Sequence, residues 1–378
     1  LGLLVATCSR SHGLPPSMRV TATSPPLVVA GPCPGERNTR ALRSAARTPT
    51  GTHWKQGSLS RSAVRSRGLR SVPPLRSLQG TSRSQQGRSP LLVHASTPAA
   101  GNKKTAVLVT GAAGKTGRIA FTKLLAQADD FDCYGLVRNK KSAKALSKRT
   151  GAPLSRILVG DTLDPGALDS AMEGIDALII LTSAVPQIKK RSIVKMLAMK
   201  LVGKKGRPEF RWKLNENPEQ ADWRGQKYQI DAAQRAGVKK IVLVGSMGGT
   251  QLDNFLNTIG PEGEGNILVW KRKAEIYLTC SGIDYTIIHP GGLTNDEGGQ
   301  RELVFGVNDT LLETEYRRIP RADVAEVAVQ CLTAPEARNK AFDVVSKDVG
   351  VGEVTASVGP KLTELKSDYD YTINEPTV

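Results

Sequence analysis

Three glycines at intervals of three residues, Gly111, Gly114 and Gly117, stand between an apolar run and an amphipathic segment. Val107, Leu108 and Val109 precede them, and residues 118–128 follow with Ile119, Phe121, Leu124 and Leu125 spaced to share one helical face. A chain that turns sharply from strand into helix uses the first glycine for the tight bend. The second lets an anion approach the backbone, and the third lets helix and strand pack closely. The first helical turn leaves N–H groups unpaired and carries partial positive charge. The bend, with Ala113, Lys115 and Thr116 in it, is therefore suited to hold a pyrophosphate. Its spacing, G-x-x-G-x-x-G, is one residue wider at the start than the commoner G-x-G-x-x-G.

Other residues that could do chemistry fall at the ends of apolar runs. Arg138 ends residues 133–137, with Lys140 and Lys141 close behind. In a dinucleotide fold this position faces the adenosine ribose. An acid there binds the 2′-hydroxyl of NAD, whereas a guanidinium accommodates the 2′-phosphate of NADP. The sign of Arg138 points to NADP(H); the plain alternative is a solvated basic turn. Asp161 follows residues 156–159 and could accept from an adenine amino group or cap a turn. Thr182 and Ser183 follow residues 177–181, and Ser246 follows residues 240–244. His289 ends residues 285–289; its intrinsic pKa suits proton transfer, though a strand-end histidine also serves structure.

The elements that must position these residues alternate. Strands are expected at 133–137, 156–159, 177–181, 240–244, 285–289 and 341–345, with helices at 118–128, 165–172, 221–236, 266–281 and 320–332. That alternation predicts an α/β fold, a Rossmann-type doubly wound parallel sheet. Ligands of such sheets bind at the carboxyl ends of the strands, where Thr182, Ser183 and Ser246 stand.

Charge is unevenly distributed. The 378-residue chain carries a formal +18, and residues 1–95 account for +13 of it, with Glu36 as their single acid. This segment is rich in Ser, Arg, Pro and Gly, the composition of a disordered organellar transit peptide, with a plausible cleavage point after Ala95. A basic tail for anionic partners is the alternative. The basicity therefore does not argue for nucleic-acid binding. The expected organisation is a presequence over 1–95, a single nucleotide-binding domain over 104–346 and a tail over 347–378 with no assigned role. Between Lys189 and Lys213 there are 10 basic residues and one acid, Glu209, and residues 193–202 have helical spacing. This insertion, 187–218, reads as a flap over the site, an arm for a protein partner or peripheral membrane contact, or a solvated excursion. No stretch is long and apolar enough to span a bilayer. Scattered cysteines and a lone histidine beyond residue 95 give no metal-site spacing, so no metal is expected.

With these segments in place, the chain resembles the short-chain dehydrogenase/reductase superfamily in its atypical branch. The landmarks are TGAAGKTG at 110–117, GLVR at 135–138, GD at 160–161, LTSAVP at 181–186, VGSMGG at 244–249, NILVWKRKAE at 266–275 and PRADVAEV at 320–327. The phrases GRPEF and GSMGGT are similar to those of plant and algal chloroplast NAD(P)-binding (NmrA-like) proteins. The resemblance implies NADP(H) as cofactor, a chloroplast stromal location (mitochondrion or cytosol being the alternatives) and hydride transfer to a small carbonyl, quinone or flavin-like acceptor. It equally admits a non-catalytic NADPH-binding sensor or assembly protein. Family members use Ser, Tyr and Lys, the last two as Y-x-x-x-K. By the resemblance Ser246 matches the serine and Lys271 the lysine that binds the nicotinamide ribose. Ile267 stands where the tyrosine would be, so the expected proton donor is missing and His289 becomes a candidate.

Overall fold

The computed structural model describes residues 103–189, 191–193, 199, 209–213, 216–261 and 265–374. The expected presequence lies outside them, as does most of the helix expected at 193–202.

The central strands are built from runs that are apolar on both faces, which suits a sheet covered on both sides. In β1 (Thr105–Thr110), Val107, Leu108 and Val109 are fully buried, and every residue of β4 (Ala177–Ile180) is buried. Beside them lie β2 (Phe131–Val137), β3 (Ile157–Val159), β7 (Lys240–Val244), β8 (Asp284–Pro290) and β12 (Lys340–Ser346). With β10 (Leu303–Gly306) they form one sheet in the order β10-β12-β8-β7-β4-β1-β2-β3. All neighbours are parallel except β10 with β12. The chain leaves β1 in one direction to β2 and β3, then returns past it to β4. The carboxyl ends of β1 and β4 are thus the switch point where such sheets bind ligands.

Helices cover both faces. One core joins α1 (Lys115–Ala126), α2 (Lys140–Thr150) and α6 (Arg321–Gln330) to the sheet through Phe121, Leu124, Leu146, Val324 and Val327. The other joins α3 (Pro165–Met172), α4 (Gly225–Ala236) and α5 (Ile267–Thr279) through Leu168, Met172, Ile230, Ala233 and Leu278. Asp164 caps α3 ahead of Pro165, and Gly237 ends α4 in the left-handed conformation. The doubly wound α/β architecture expected from the sequence is present. No helix among the described residues is long and apolar enough to cross a membrane.

Two short sheets lie apart: β5 (Gln187–Ile188) with β6 (Phe210–Arg211), antiparallel, and β9 (Gly292–Thr294) with β11 (Arg318–Pro320), parallel. The tail also packs. Val358 and Leu362, the latter in α7 (Gly359–Thr363), are buried in the first core, and Tyr369 in the second. Arg272 of α5 is almost fully buried under it. Its guanidinium donates to Tyr369 Oη at 3.1 Å and to the carbonyls of Asp370 and Ile373 at 3.0 and 2.9 Å. Residues 369–373 of the tail are therefore a structural strap across the back of α5, and Val358 and Leu362 anchor the tail in the opposite core.

Candidate functional site

A cleft of about 820 Å³ opens at the switch point. Its floor is the glycine bend. Gly111 has φ +68°, and a Cβ there would stand 2.6 Å from the Leu181 carbonyl of the strand beside it. A Cβ on Gly117 would run into the Gly111 carbonyl. Gly114 closes the bend by donating to Gly111 O at 2.8 Å and is the N-cap of α1, with no side chain capping the helix. The amides of the first turn therefore face the cleft, and Ala113, Lys115 and Thr116 line it with them. Uncapped amides and a backbone stripped of side chains are what a pyrophosphate requires.

One end of the cleft lies beyond β2. Arg138, Asn139 and Ser142 line the cleft, with Asn139 Oδ1 capping α2 at the Ser142 amide, 2.9 Å away. Arg138 contacts two carboxylates: Nη1 pairs closely with Glu216, and Nε lies 3.8 Å from Asp161. Asp161 is not in the cleft wall, although its neighbours Gly160 and Thr162 are. Its Oδ1 accepts from the Leu163 amide at 3.0 Å, so the turn-capping reading describes its contacts here.

At the other end stand Thr182, Ser183, Gly245, Ser246 and Lys271. Gln226 and Gln229 of α4 donate to Thr182 O and Oγ1, each at 3.1 Å, and fix that strand end. Ser246 Oγ donates to Met247 O at 3.1 Å. Lys271 is buried, not on a solvated face. Its Nζ donates to Asp222 Oδ1 at 2.8 Å, while Asp222 Oδ2 accepts from the Ala184 amide at 3.0 Å. Asp222 thus ties α5 to the end of β4 and orients the lysine.

His289 is placed elsewhere. It is fully buried and absent from the cleft wall. Nε2 donates to Glu275 Oε2 at 3.0 Å, Nδ1 lies 3.3 Å from Asp343 Oδ1, and the Tyr369 ring packs 4.5 Å away. Burial is the largest single influence and opposes its charge. The Glu275 and Asp343 carboxylates together outweigh it and raise the pKa to about 10. Gly245 separates this cluster from the cleft, since a Cβ there would strike Glu275. Histidine as a proton donor at the cleft does not agree with this position. Ile267 packs with Ala184, Trp212 and Ile259, so the place of the family tyrosine is part of a small apolar cluster.

The sequence reading missed Asp222, Glu216, Lys213 and Arg321, all of which shape or line the cleft. Asp222 lies in a six-residue π-helical turn, Glu219–Arg224, ahead of α4. Such a turn shifts the helical register, so a 3.6-residue reading of 221–236 puts Asp222 on the wrong face. Arg321 donates through Nη1 to Leu293 O, Thr294 O and Asn295 Oδ1 at 3.2, 3.0 and 2.8 Å, contacts between segments far apart in sequence.

Comparison with known proteins agrees with this geometry. Residues 111–335 match a family model described as NAD(P)H-binding. An uncharacterised chloroplastic protein of Arabidopsis thaliana is 49% identical over 271 residues, 72% of this chain and 78% of its own. Sanguinarine reductase of Eschscholzia californica is 50% identical over 265 residues, 67% of this chain and 93% of its own. A putative NAD-dependent epimerase/dehydratase from Bacillus halodurans shares the fold, with a TM-score of 0.50 at 24% identity over 69% of this chain and all of that one. On the match across its glycine bend and sheet, the chain belongs to the NAD(P)H-binding family.

Proposed function

We propose that this protein is an NADP(H)-dependent reductase that passes hydride to a small conjugated acceptor (a carbonyl, quinone or flavin-like compound) in the chloroplast stroma. The observation that carries the coenzyme choice is Arg138, a guanidinium at the end of β2 in the same cleft as the uncapped glycine bend. When bound, the nicotinamide supplies the hydride. The chain's own residues do the rest. The amides of Gly114 to Gly117 hold the pyrophosphate, and Arg138 takes the 2′-phosphate. Lys271, held by Asp222, donates to the ribose hydroxyls. Thr182, Ser183 and Ser246 offer polar contacts at the reacting end. Ile267 gives no proton, so the acceptor is one whose reduced form takes its proton from water. The identity to sanguinarine reductase supports a reductase, and the Arabidopsis relative, named as chloroplastic, supports the compartment together with the acid-poor segment 1–95. A second reading, a coenzyme-binding sensor or scaffold without turnover, is favoured by the apolar packing of Ile267. NADPH oxidation measured against quinones, flavins and enones separates the two. Turnover with at least one class is expected; tight NADPH binding with no turnover on any would leave the sensor.

A further inference from the structure

The guanidinium assigned to the 2′-phosphate already faces two carboxylates, with Asp161 3.8 Å from Nε and Glu216 closer at Nη1. Arg138 Nη1 pairs closely with Glu216, and Lys213 Nζ lies 3.4 Å from the other Glu216 oxygen. All three residues line the cleft. Arg138 belongs to the end of β2, whereas Lys213 and Glu216 belong to the segment leading into the π-helical turn. The Glu216 carboxylate therefore stands between a cation at the end of β2 and one on its own segment, and on the coenzyme reading above it takes the place of the 2′-phosphate. We propose that Glu216 is an internal stand-in for the 2′-phosphate. NADP(H) displaces it from Arg138, Lys213 then turns to the phosphate as its second cation, and the pair Lys213–Glu216 sets how strongly the protein prefers NADP(H) over NAD(H). This rests on the coenzyme reading above.

The chemistry favours exchange over coexistence. A carboxylate and a phosphate cannot share one guanidinium edge without like-charge repulsion. The phosphate brings more charge and more acceptor oxygens, so it wins the planar fork. Little is lost by the exchange, because Arg138 is half exposed at 52% and exposed ion pairs contribute modestly. A coenzyme with a free 2′-hydroxyl leaves Glu216 in place and gains nothing from its removal. Six residues beyond Glu216, Asp222 binds Lys271 at the other end of the cleft, so release of Glu216 leaves the segment anchored there.

Titration calorimetry of the full chain with NADPH and with NADH tests this on the wild type, Glu216→Gln and Lys213→Met, with circular dichroism confirming that each variant is folded. Glu216→Gln is expected to tighten NADPH about three- to tenfold and to change NADH less than about twofold. Lys213→Met is expected to weaken NADPH by a similar factor and to leave NADH alone. Equal effects on both coenzymes, or NADPH binding unmoved by Glu216→Gln in a wild type that prefers NADPH, would overturn the displacement while leaving the coenzyme assignment intact. A wild type that prefers NADH would overturn the assignment and the displacement with it.

Discussion

Lys271 and Asp222 form an ion pair inside the protein. Both are buried, and Asp222 is fully so. Removing one partner of a buried pair leaves an uncompensated charge and costs about 3–5 kcal/mol, whereas replacing both can be close to neutral. Asp222→Asn is therefore expected to lower unfolding free energy in urea by about that much, and Asp222→Leu combined with Lys271→Met to recover most of it. The double variant should still lose coenzyme affinity, which separates the lysine's binding role from its structural one. His289 makes a different residue-scale prediction. Its pKa is raised in the folded chain, from 6.5 to about 10, so its contribution to stability is fully present below the free-histidine value. It is lost as pH climbs through about 10. The stability gap between wild type and His289→Gln should be widest below pH 6.5 and shrink steadily from there to about pH 10; a gap that widens with alkali would contradict the carboxylate clamp.

At the scale of elements, residues 369–373 hold Arg272 of α5 while Lys271 of the same helix lines the cleft, and residues 358–362 of the same strap pack into the opposite core. Leu362 is 2% exposed in the core shared by α1 and α6, and Leu362→Ala should cost about 2–5 kcal/mol in denaturant unfolding. A surface-like cost of a few tenths would mean the strap is not part of the core. This element was not legible in the sequence, because Val358, Leu362 and Tyr369 bury themselves singly against distant partners and show no period. The sheet was legible for the opposite reason: ALII at β4 and VLV in β1 are runs that only a doubly covered strand can hide. The helix at 140–150 leaves little trace in the sequence, because only Ala143 and Leu146 face inward. The sequence of 221–236 suits one continuous helix, and the π-helical turn that aims Asp222 carries no compositional sign.

At the scale of the molecule, the cleft is where chain order and sheet order part, between β1 and β4. The glycine-bend end of the cleft is legible in the sequence because local backbone rules govern it: three glycines, one uncapped helix and one cation at a strand end. The reacting end was not, because Ser246, Lys271, Asp222 and Arg321 meet only through tertiary packing. Ile267 shows the limit most plainly. Sequence spacing placed it at the tyrosine position, but only the structure reveals Trp212 and Ile259 closing over it. The most direct test of the central claim is calorimetric titration of the full chain with NADPH, repeated on Arg138→Leu. The account predicts saturable heat from NADPH, with affinity falling about tenfold or more on loss of the guanidinium. No heat from either nicotinamide coenzyme, or an Arg138→Leu chain that binds NADPH as well as the wild type, would contradict it.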